Sequence, residues 1–437
     1  MTEGNRTLAG WLEHLEALHP KGQAGIELGL DRVRIVRDAL GQTARCPVVM
    51  VAGTNGKGST CAYLETIFDR AGYRVGCYSS PHLLHYNERV RLNTRPADDA
   101  ALCRAFARVE AARRQAGEIA LTYFEFGTLA AWEVFAEAGV EVMVLEVGLG
   151  GRLDAVNVYE PDVSIVTGIA LDHTDWLGPT REHIGREKAG IFRAGRPAIC
   201  ADRQPPQSLL DVATKVGAEL RLIGRDFSAE VIPENRFQWR YASRREGESI
   251  ARTLAYPALR GSVQIFNASA ALQALESLRD RLPVSMQAIR QGLLEVVLSG
   301  RFQVLPGRPA VVLDVAHNPE SCAVLADGLG NMGFFENTIA IVGMLGDKDM
   351  ASSLRPMIGR VDRWLIIPLD SSRAAKPDEL AALIEKLAPG TTVECCPDAR
   401  TACETAAKWA SEADRIAVFG SFLTVAAVHP HLSILRA

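Results

Sequence analysis

The sequence predicts an α/β fold in two domains, a larger N-terminal one on a parallel sheet and a smaller α/β one behind it. Three observations carry this. Short, wholly apolar runs alternate with helical stretches from residue 48 to about residue 201, the pattern of parallel strands covered on both faces. The alternation stops over residues 226–262, which are polar. A second alternating series then opens at Val311 and runs to Phe419.

In chain order, the first strand is Val48-Val49-Met50-Val51, followed by helical composition over 60–71. Further strands are expected at Val75 to Tyr78, Val142 to Val147, Val163 to Thr167 and Ala198 to Ala201, with helices over 98–116 and 126–138. Residues 226–262, with Trp239, Tyr241 and Arg244-Arg245, read as irregular β-structure. Helices follow at 267–281 and from Pro283 to about Val297. Strands at Val311-Val312-Leu313, Ile339 to Val342, Trp364 to Ile367 and Ile416 to Phe419 then make a compact, Rossmann-like second domain. The expected boundary lies near Ser299-Gly300, giving domains 1–298 and 299–437.

Composition bounds the function. At about 150 residues per domain, 437 residues suggest two or three domains. Hydrophobic residues are 48% and charged residues 23%, ordinary globular usage that excludes wholesale disorder. The net charge of −4 argues against a nucleic-acid scaffold. No run approaches the roughly 20 apolar residues of a membrane span, and Glu13, Glu16 and Glu27 interrupt any signal-like stretch. Nine cysteines lack metal-ligand spacing and read as reduced thiols. The expectation is a cytoplasmic monomer acting on small molecules, without nucleic-acid or membrane partners.

The strongest chemical signal is Gly53-Thr54-Asn55-Gly56-Lys57-Gly58-Ser59-Thr60, between a strand and a helix. This is the context of a P-loop: glycines let backbone N–H groups close on phosphate oxygens, the helix N-terminus favours the anion, and Lys57 reaches the outer phosphates. Gly58 departs from the usual spacing by standing between Lys57 and Ser59, and either Ser59 or Thr60 can supply a hydroxyl. Phosphate chemistry calls for Mg²⁺ ligands at strand ends. Ser80, Glu146 and His173 are placed there, each with a capping or turn role as the alternative; Glu146, a carboxylate ending an apolar run, is the best of them. Taken alone, Lys188 reads as a surface lysine. In the second domain, Asp314, His317 and Asn318 follow a strand, as do the charged loop Gly343–Asp349 and Ser421; helix caps and a solvated turn explain them equally well.

Together these segments resemble the folylpolyglutamate synthase/dihydrofolate synthase family, a branch of the Mur ligases. The matching stretches are GTNGKGS at 53–59, SSPHL at 79–83, LEVGLGGRLDAVN at 145–157, LDHTDWLG at 171–178, REKAGIF at 186–192, Asn267, SGRF at 299–302, DVAHNP at 314–319 and GSF at 420–422. The resemblance implies a P-loop ATPase domain followed by a glutamate-ligase domain, using ATP and Mg²⁺. It implies ATP on Asn55, Gly56, Lys57, Gly58, Ser59, Asn267, Arg301 and Asp314, and Mg²⁺ on Ser80, Glu146 and His173. Lys188 becomes a carbamylated lysine, a cation turned into a carboxylate beside metal ions. Leu28, Gly29, Thr122, Tyr123, Phe124, Leu153 and Asp154 would contact the pterin, and His317 and Ser421 the glutamate end. Glu27 stands where the family pattern has Asp.

The implied reaction joins L-glutamate to dihydropteroate, and further glutamates to reduced folates, through an acyl phosphate. Catalysis would rest on Lys57, Lys188 and His317. Two alternatives are a Mur-type ligase with another carboxylate acceptor and a P-loop switch that ligates nothing. The first carries an additional N-terminal domain, for which the 52 residues before Gly53 leave little room.

Overall fold

The computed structural model describes residues 6–19, 25–245 and 248–436. Val48–Ala52 has no polar side chain to leave in water, and as β1 it is buried along its whole length inside an eight-stranded sheet. The sheet continues with β2 (Val75–Tyr78), β3 (Val90–Leu92), β4 (Arg95–Pro96), β5 (Val142–Glu146), β6 (Val163–Val166), β7 (Pro197–Cys200) and β8 (Glu219–Leu222), in the order β4-β3-β2-β5-β1-β6-β7-β8. Pairings from β2 to β8 are parallel, and β3 and β4 close one edge antiparallel. The hairpin pair β3–β4 gave no apolar run long enough to be read from sequence.

Helices α1 (Leu8–Leu18), α2 (Asp31–Leu40), α3 (Lys57–Arg70), α4 (Asp99–Gln115), α5 (Tyr123–Ala138), α6 (Thr174–Leu177), α7 (Arg181–Ala189) and α8 (Gln207–Val216) belong to this unit. Every residue of α3 from Ser59 to Phe68 is buried. It is covered by α10 (Met286–Glu295), which follows α9 (Gln264–Leu278): a Cβ at Gly292 would fall 2.5 Å from Ile67 Cγ1, so the two helices meet at a glycine.

Residues 226–262 are more regular than expected. They contain a three-stranded antiparallel sheet of β9 (Phe227–Ile232), β10 (Asn235–Arg245) and β11 (Glu248–Ala255). Trp239, Tyr241 and Ser243 alternate into its buried face, and Trp239 Nε1 donates to the Ala255 carbonyl at 3.1 Å. Helix α5 also begins earlier than 126. Thr122 and Glu125 form a capping box, which draws Tyr123 and Phe124 into the first turn.

The chain divides into two compact units, Met1–Ala258 with Ile265–Val296, and Leu259–Gln264 with Val297–Ala437. The second is built on β12 (Gln303–Leu305), β13 (Ala310–Leu313), β14 (Thr338–Val342), β15 (Arg363–Ile366), β16 (Thr392–Cys395) and β17 (Arg415–Phe419), in the order β12-β13-β17-β14-β15-β16. Only β12 is antiparallel. Helices α11 (Pro319–Gly330), α12 (Met350–Leu354), α13 (Pro377–Leu387), α14 (Ala399–Trp409) and α15 (Phe422–Val428) cover it. All nine cysteines are free thiols. No described helix is long and apolar enough to cross a membrane.

Candidate active site

The loop after β1 is shaped by close approaches that only glycine allows. At Gly53 (φ +151°) a Cβ would lie 1.8 Å from Thr167 Oγ1, and at Gly56 (φ +88°) it would lie 2.4 Å from Asn267 Oδ1. Thr167 Oγ1 donates to the Asn55 carbonyl at 2.6 Å, and Thr54 N donates to the Gly168 carbonyl at 2.7 Å, so the strand-end residues of β6 pin the loop. Lys57 opens α3 and folds its ammonium back onto the Gly53 and Thr54 carbonyls at 3.1 and 3.3 Å. Because the helix starts at Lys57, Gly58 is its second residue, and Ser59 and Thr60 are buried in the first turn. Thr60 Oγ1 has no hydrogen-bond partner among the described residues. A backbone cradle at a helix N-terminus with an unsatisfied hydroxyl fits a phosphate ligand.

Ser80 follows β2, Glu146 ends β5, the Gly53–Ser59 loop follows β1 and His173 follows β6. These are the carboxyl ends of four neighbouring strands. Ser80 N donates to Glu146 Oε2 at 3.2 Å, which brings that pair together. Arg91 Nη1 holds the adjoining Ser79 hydroxyl at 2.8 Å. His173 adopts a left-handed backbone (φ +51°) at the start of α6, one-third exposed, with its N–H held by Asp172 Oδ1. No three His, Cys, Asp or Glu side chains gather as a metal cluster among the described residues. The Ser80 hydroxyl and Glu146 carboxylate are the oxygen ligands Mg²⁺ prefers, and it keeps most of its sites for phosphate oxygens and water; the His173 imidazole is the less usual ligand.

Lys188 is not a surface residue. It is 3% exposed near the end of α7. Burial lowers its pKa to about 7, helped by the Lys57 cation and opposed by the Asp172 and Asp154 carboxylates. The glycine-rich turn after β5 packs on this end of the helix: Arg152 N donates to the Glu187 carbonyl at 2.8 Å, and a Cβ at Gly151 would meet the Lys188 carbonyl at 3.0 Å.

The residues expected at the pterin fall into two groups. Phe124 remains half-exposed and lies over Gly148, where a Cβ would sit 2.6 Å from the ring; Tyr78 is 5.8 Å away. Asp154 is buried beside it, accepting from Leu149 N at 2.8 Å and Val156 N at 3.0 Å, and burial pushes its pKa up to about 7. Gly29 N donates to the Leu153 carbonyl at 3.2 Å, tying the Leu28-Gly29 segment to the same wall. Thr122 and Tyr123 turn elsewhere. Thr122 is the buried cap of α5, and Tyr123 is buried in edge contact with Tyr86.

In the second unit, Asp314, Ser421 and the Gly343–Asp349 loop follow the adjacent strands β13, β17 and β14. Asp314 is half-buried, and its desolvation raises its pKa against the pull of Arg301; it accepts from Phe302 N at 2.8 Å and Ala316 N at 2.7 Å. The Arg301 guanidinium lies 4.9 Å over the Phe422 ring, and His317 is 6.4 Å from that ring. His317 Nδ1 lies 2.8 Å from the Val315 carbonyl, which can only accept, so Nδ1 carries a hydrogen. Ser421 and Asn318 cap α15 and α11. In the charged loop, Asp347 pairs with Arg373 and Asp349 caps α12.

Several residues were given no role by the sequence, namely Thr167 under the loop, Asp172 beside Lys188, and Arg89. The Arg89 guanidinium covers the Tyr86 and Tyr123 rings at 5.5 and 5.4 Å, and its Nε donates to His82 Nδ1 at 2.8 Å. Burial and this cation lower the His82 pKa to about 4. The segment Asn87-Glu88-Arg89 is polar and reads as an ordinary turn.

Comparison with known proteins identifies the family. The Mur ligase middle domain matches residues 51–275, and the Mur ligase glutamate ligase domain matches residues 300–422. The dihydrofolate synthase/folylpolyglutamate synthase of Escherichia coli is 44% identical over 96% of this chain and 94% of its own. The structure of E. coli FolC in complex with DHPP and ADP superposes over the whole of both chains, with TM-score 0.91 and 41% identity. That of a bifunctional folylpolyglutamate synthase/dihydrofolate synthase with Mn, AMPPNP and L-glutamate bound covers 98% of each chain, with TM-score 0.86 and 42% identity. The chain belongs to the dihydrofolate synthase/folylpolyglutamate synthase family of the Mur ligases.

Proposed function

We propose that the protein is an ATP-dependent carboxylate–amine ligase that joins L-glutamate to 7,8-dihydropteroate, forming dihydrofolate, and adds further glutamates to reduced folates. The observation that carries this reading is the convergence of the Gly53–Ser59 loop, Ser80, Glu146 and His173 on the carboxyl ends of β2, β5, β1 and β6. Relatives with bound ADP, AMPPNP, Mn, DHPP and L-glutamate support it.

A carboxylate is a poor electrophile, so the acceptor carboxylate oxygen first attacks the γ-phosphorus of ATP. The bond from phosphorus to the ADP oxygen breaks, leaving an acyl phosphate. Lys57 exchanges its two carbonyl contacts for the phosphates and neutralises charge on the transferred group. Ser80, Glu146 and His173 would hold Mg²⁺, which neutralises the phosphate oxygens when bound. The neutral amine of glutamate then attacks the acyl carbon, phosphate leaves with the former carboxylate oxygen, and one amine proton passes to solvent. Arg301 and Asp314 keep the nucleotide role, and His317 and Ser421 the glutamate role, that the family pattern gives them.

Lys188 fits carbamylation because its pKa near 7 leaves a substantial fraction of neutral amine. That lone pair adds to CO₂, the new N–C bond forms, and one proton leaves to solvent. The resulting anion faces the Lys57 cation. Phe124 and Gly148 would stack the pterin and Asp154 would bind its N–H groups.

The test is ATP turnover by the purified protein with each substrate omitted in turn. The reading requires ADP release to depend on Mg²⁺, glutamate and either dihydropteroate or tetrahydrofolate. Turnover indifferent to both acceptors would leave a plain ATPase. Use of tetrahydrofolate without dihydropteroate would leave only the extension activity.

A further inference from the structure

The first turn of α2 holds an arginine, Arg32, where the helix dipole disfavours a cation. Its position is explained by what the guanidinium grips. Arg32 Nη2 donates to Glu125 Oε1 at 2.9 Å and Nε to Glu125 Oε2 at 3.4 Å, a two-point pairing with a carboxylate that is almost wholly buried. The remaining donors turn the other way: Nη1 binds Glu27 Oε1, and Nη2 also binds the Glu27 carbonyl at 3.2 Å. Glu27 is held from its far side by His19 Nε2 at 3.2 Å.

Each end of this bridge leads to a wall of the pterin site. Glu125 Oε2 also accepts from Thr122 N at 2.7 Å, so the oxygen that Arg32 contacts caps the turn carrying Phe124. Glu27 immediately precedes Leu28-Gly29, and Gly29 is bonded to Leu153 on the third wall. The loop 25–30 has no helix or strand of its own, and Arg32 links it to α5 across 93 positions of sequence.

We propose that Arg32 is a positioning residue that sets the Leu28-Gly29 segment against the Phe124 turn and thereby fixes affinity for the pterin end of the acceptor. The inference rests on the folate reading given above. Arg32 touches no reacting atom, so its loss acts on acceptor binding and spares the phosphoryl-transfer step. Glu27 follows from the same geometry: a guanidinium gripping both its carboxylate and its carbonyl fixes the backbone of the segment as well as the side chain.

Removing Arg32 alone would strand the buried Glu125 charge and threaten the fold. The informative variant is therefore Arg32→Ala with Glu125→Gln, since glutamine can still cap Thr122 N. Steady-state kinetics on the full chain should show the KM for dihydropteroate rising about tenfold or more, with kcat and the KM values for ATP and glutamate within about threefold. Glu27→Gln should give a smaller rise, and Arg32→Lys an intermediate one, because a lysine cannot grip both carboxylates in fork geometry. A folded double variant with unchanged acceptor KM overturns the proposal. So does a parallel rise in all three KM values, which marks a merely structural residue. If wild-type enzyme uses no pterin acceptor, the folate reading fails. The clamp is then judged by hydrogen exchange, which must quicken in the double variant at 25–30 and 122–126 and not elsewhere.

Discussion

Replacing Lys188 by methionine should stabilise the protein while abolishing its activity. The ordinary lysine pKa of 10.5 falls to about 7 in this site, with burial as the main cause. Between those values the unfolded chain binds more protons than the folded one, so this group's contribution to stability rises with pH across the window. At pH 7.5 the unfolded lysine is protonated and the folded one largely neutral. Giving up that proton over about three pH units costs about 4 kcal/mol, at 1.36 kcal/mol each. Lys188→Met keeps the length of the side chain and removes that cost. In CO₂-free buffer at pH 7.5 the variant should melt several degrees above wild type, on the order of 5 °C. The gap should close as pH approaches 10. Carbamylation offers the wild-type enzyme another escape: with Mg²⁺ and ADP present, added bicarbonate should raise its melting temperature by mass action and leave the variant unmoved. The assay is differential scanning fluorimetry over pH 6–10, with and without bicarbonate. A variant that melts at or below wild type at pH 7.5, or an equal bicarbonate response in both proteins, would refute the reasoning.

Gly53→Ala forces a Cβ to 1.8 Å from Thr167 Oγ1, so it should destabilise the first unit by about 2 kcal/mol or more; thermal melts should show the loss, and titration with Mg²⁺-ADP should show no binding. Glu146→Gln removes the carboxylate beside Ser80 and should shift the Mg²⁺ dependence of ligation to higher concentration, with partial recovery at saturating Mg²⁺. Phe124→Ala strips the ring that covers Gly148 and should impair dihydropteroate ligation far more than glutamate addition to tetrahydrofolate, whereas Lys57→Ala should impair both equally; parallel initial rates with the two acceptors decide it.

What the sequence made legible was local. The glycine spacing of 53–58 and the apolar run before it mark the strand–loop–helix turn at 53–59 unaided, and Glu146 stands out because a carboxylate at the end of Val142–Leu145 needs a purpose. What escaped is set by contacts distant in sequence. Lys188 sits in an unremarkable charged helix, and its burial comes from tertiary packing such as that of the 148–152 turn on the end of α7. The Arg32–Glu125 pair spans 93 positions, with nothing in either segment naming the other. Thr122, Tyr123 and Phe124 are expected at the substrate, yet Thr122 with Glu125 also spells a capping box, and that local signal starts α5 three residues early. The 226–262 sheet hid behind its polar outer face, since its buried residues, Phe227, Trp239, Tyr241, Ser243 and Leu254, are set singly among polar ones.

The central claim is ligation through an acyl phosphate, and the fate of one oxygen tests it most directly. Dihydropteroate labelled with ¹⁸O in both carboxylate oxygens should be turned over with unlabelled ATP, Mg²⁺ and L-glutamate, and the released phosphate analysed by mass. If the carboxylate attacks the γ-phosphorus, the first amide bond formed on each dihydropteroate yields one phosphate carrying one ¹⁸O. Phosphate released without label, while the monoglutamate product accumulates, would contradict the account.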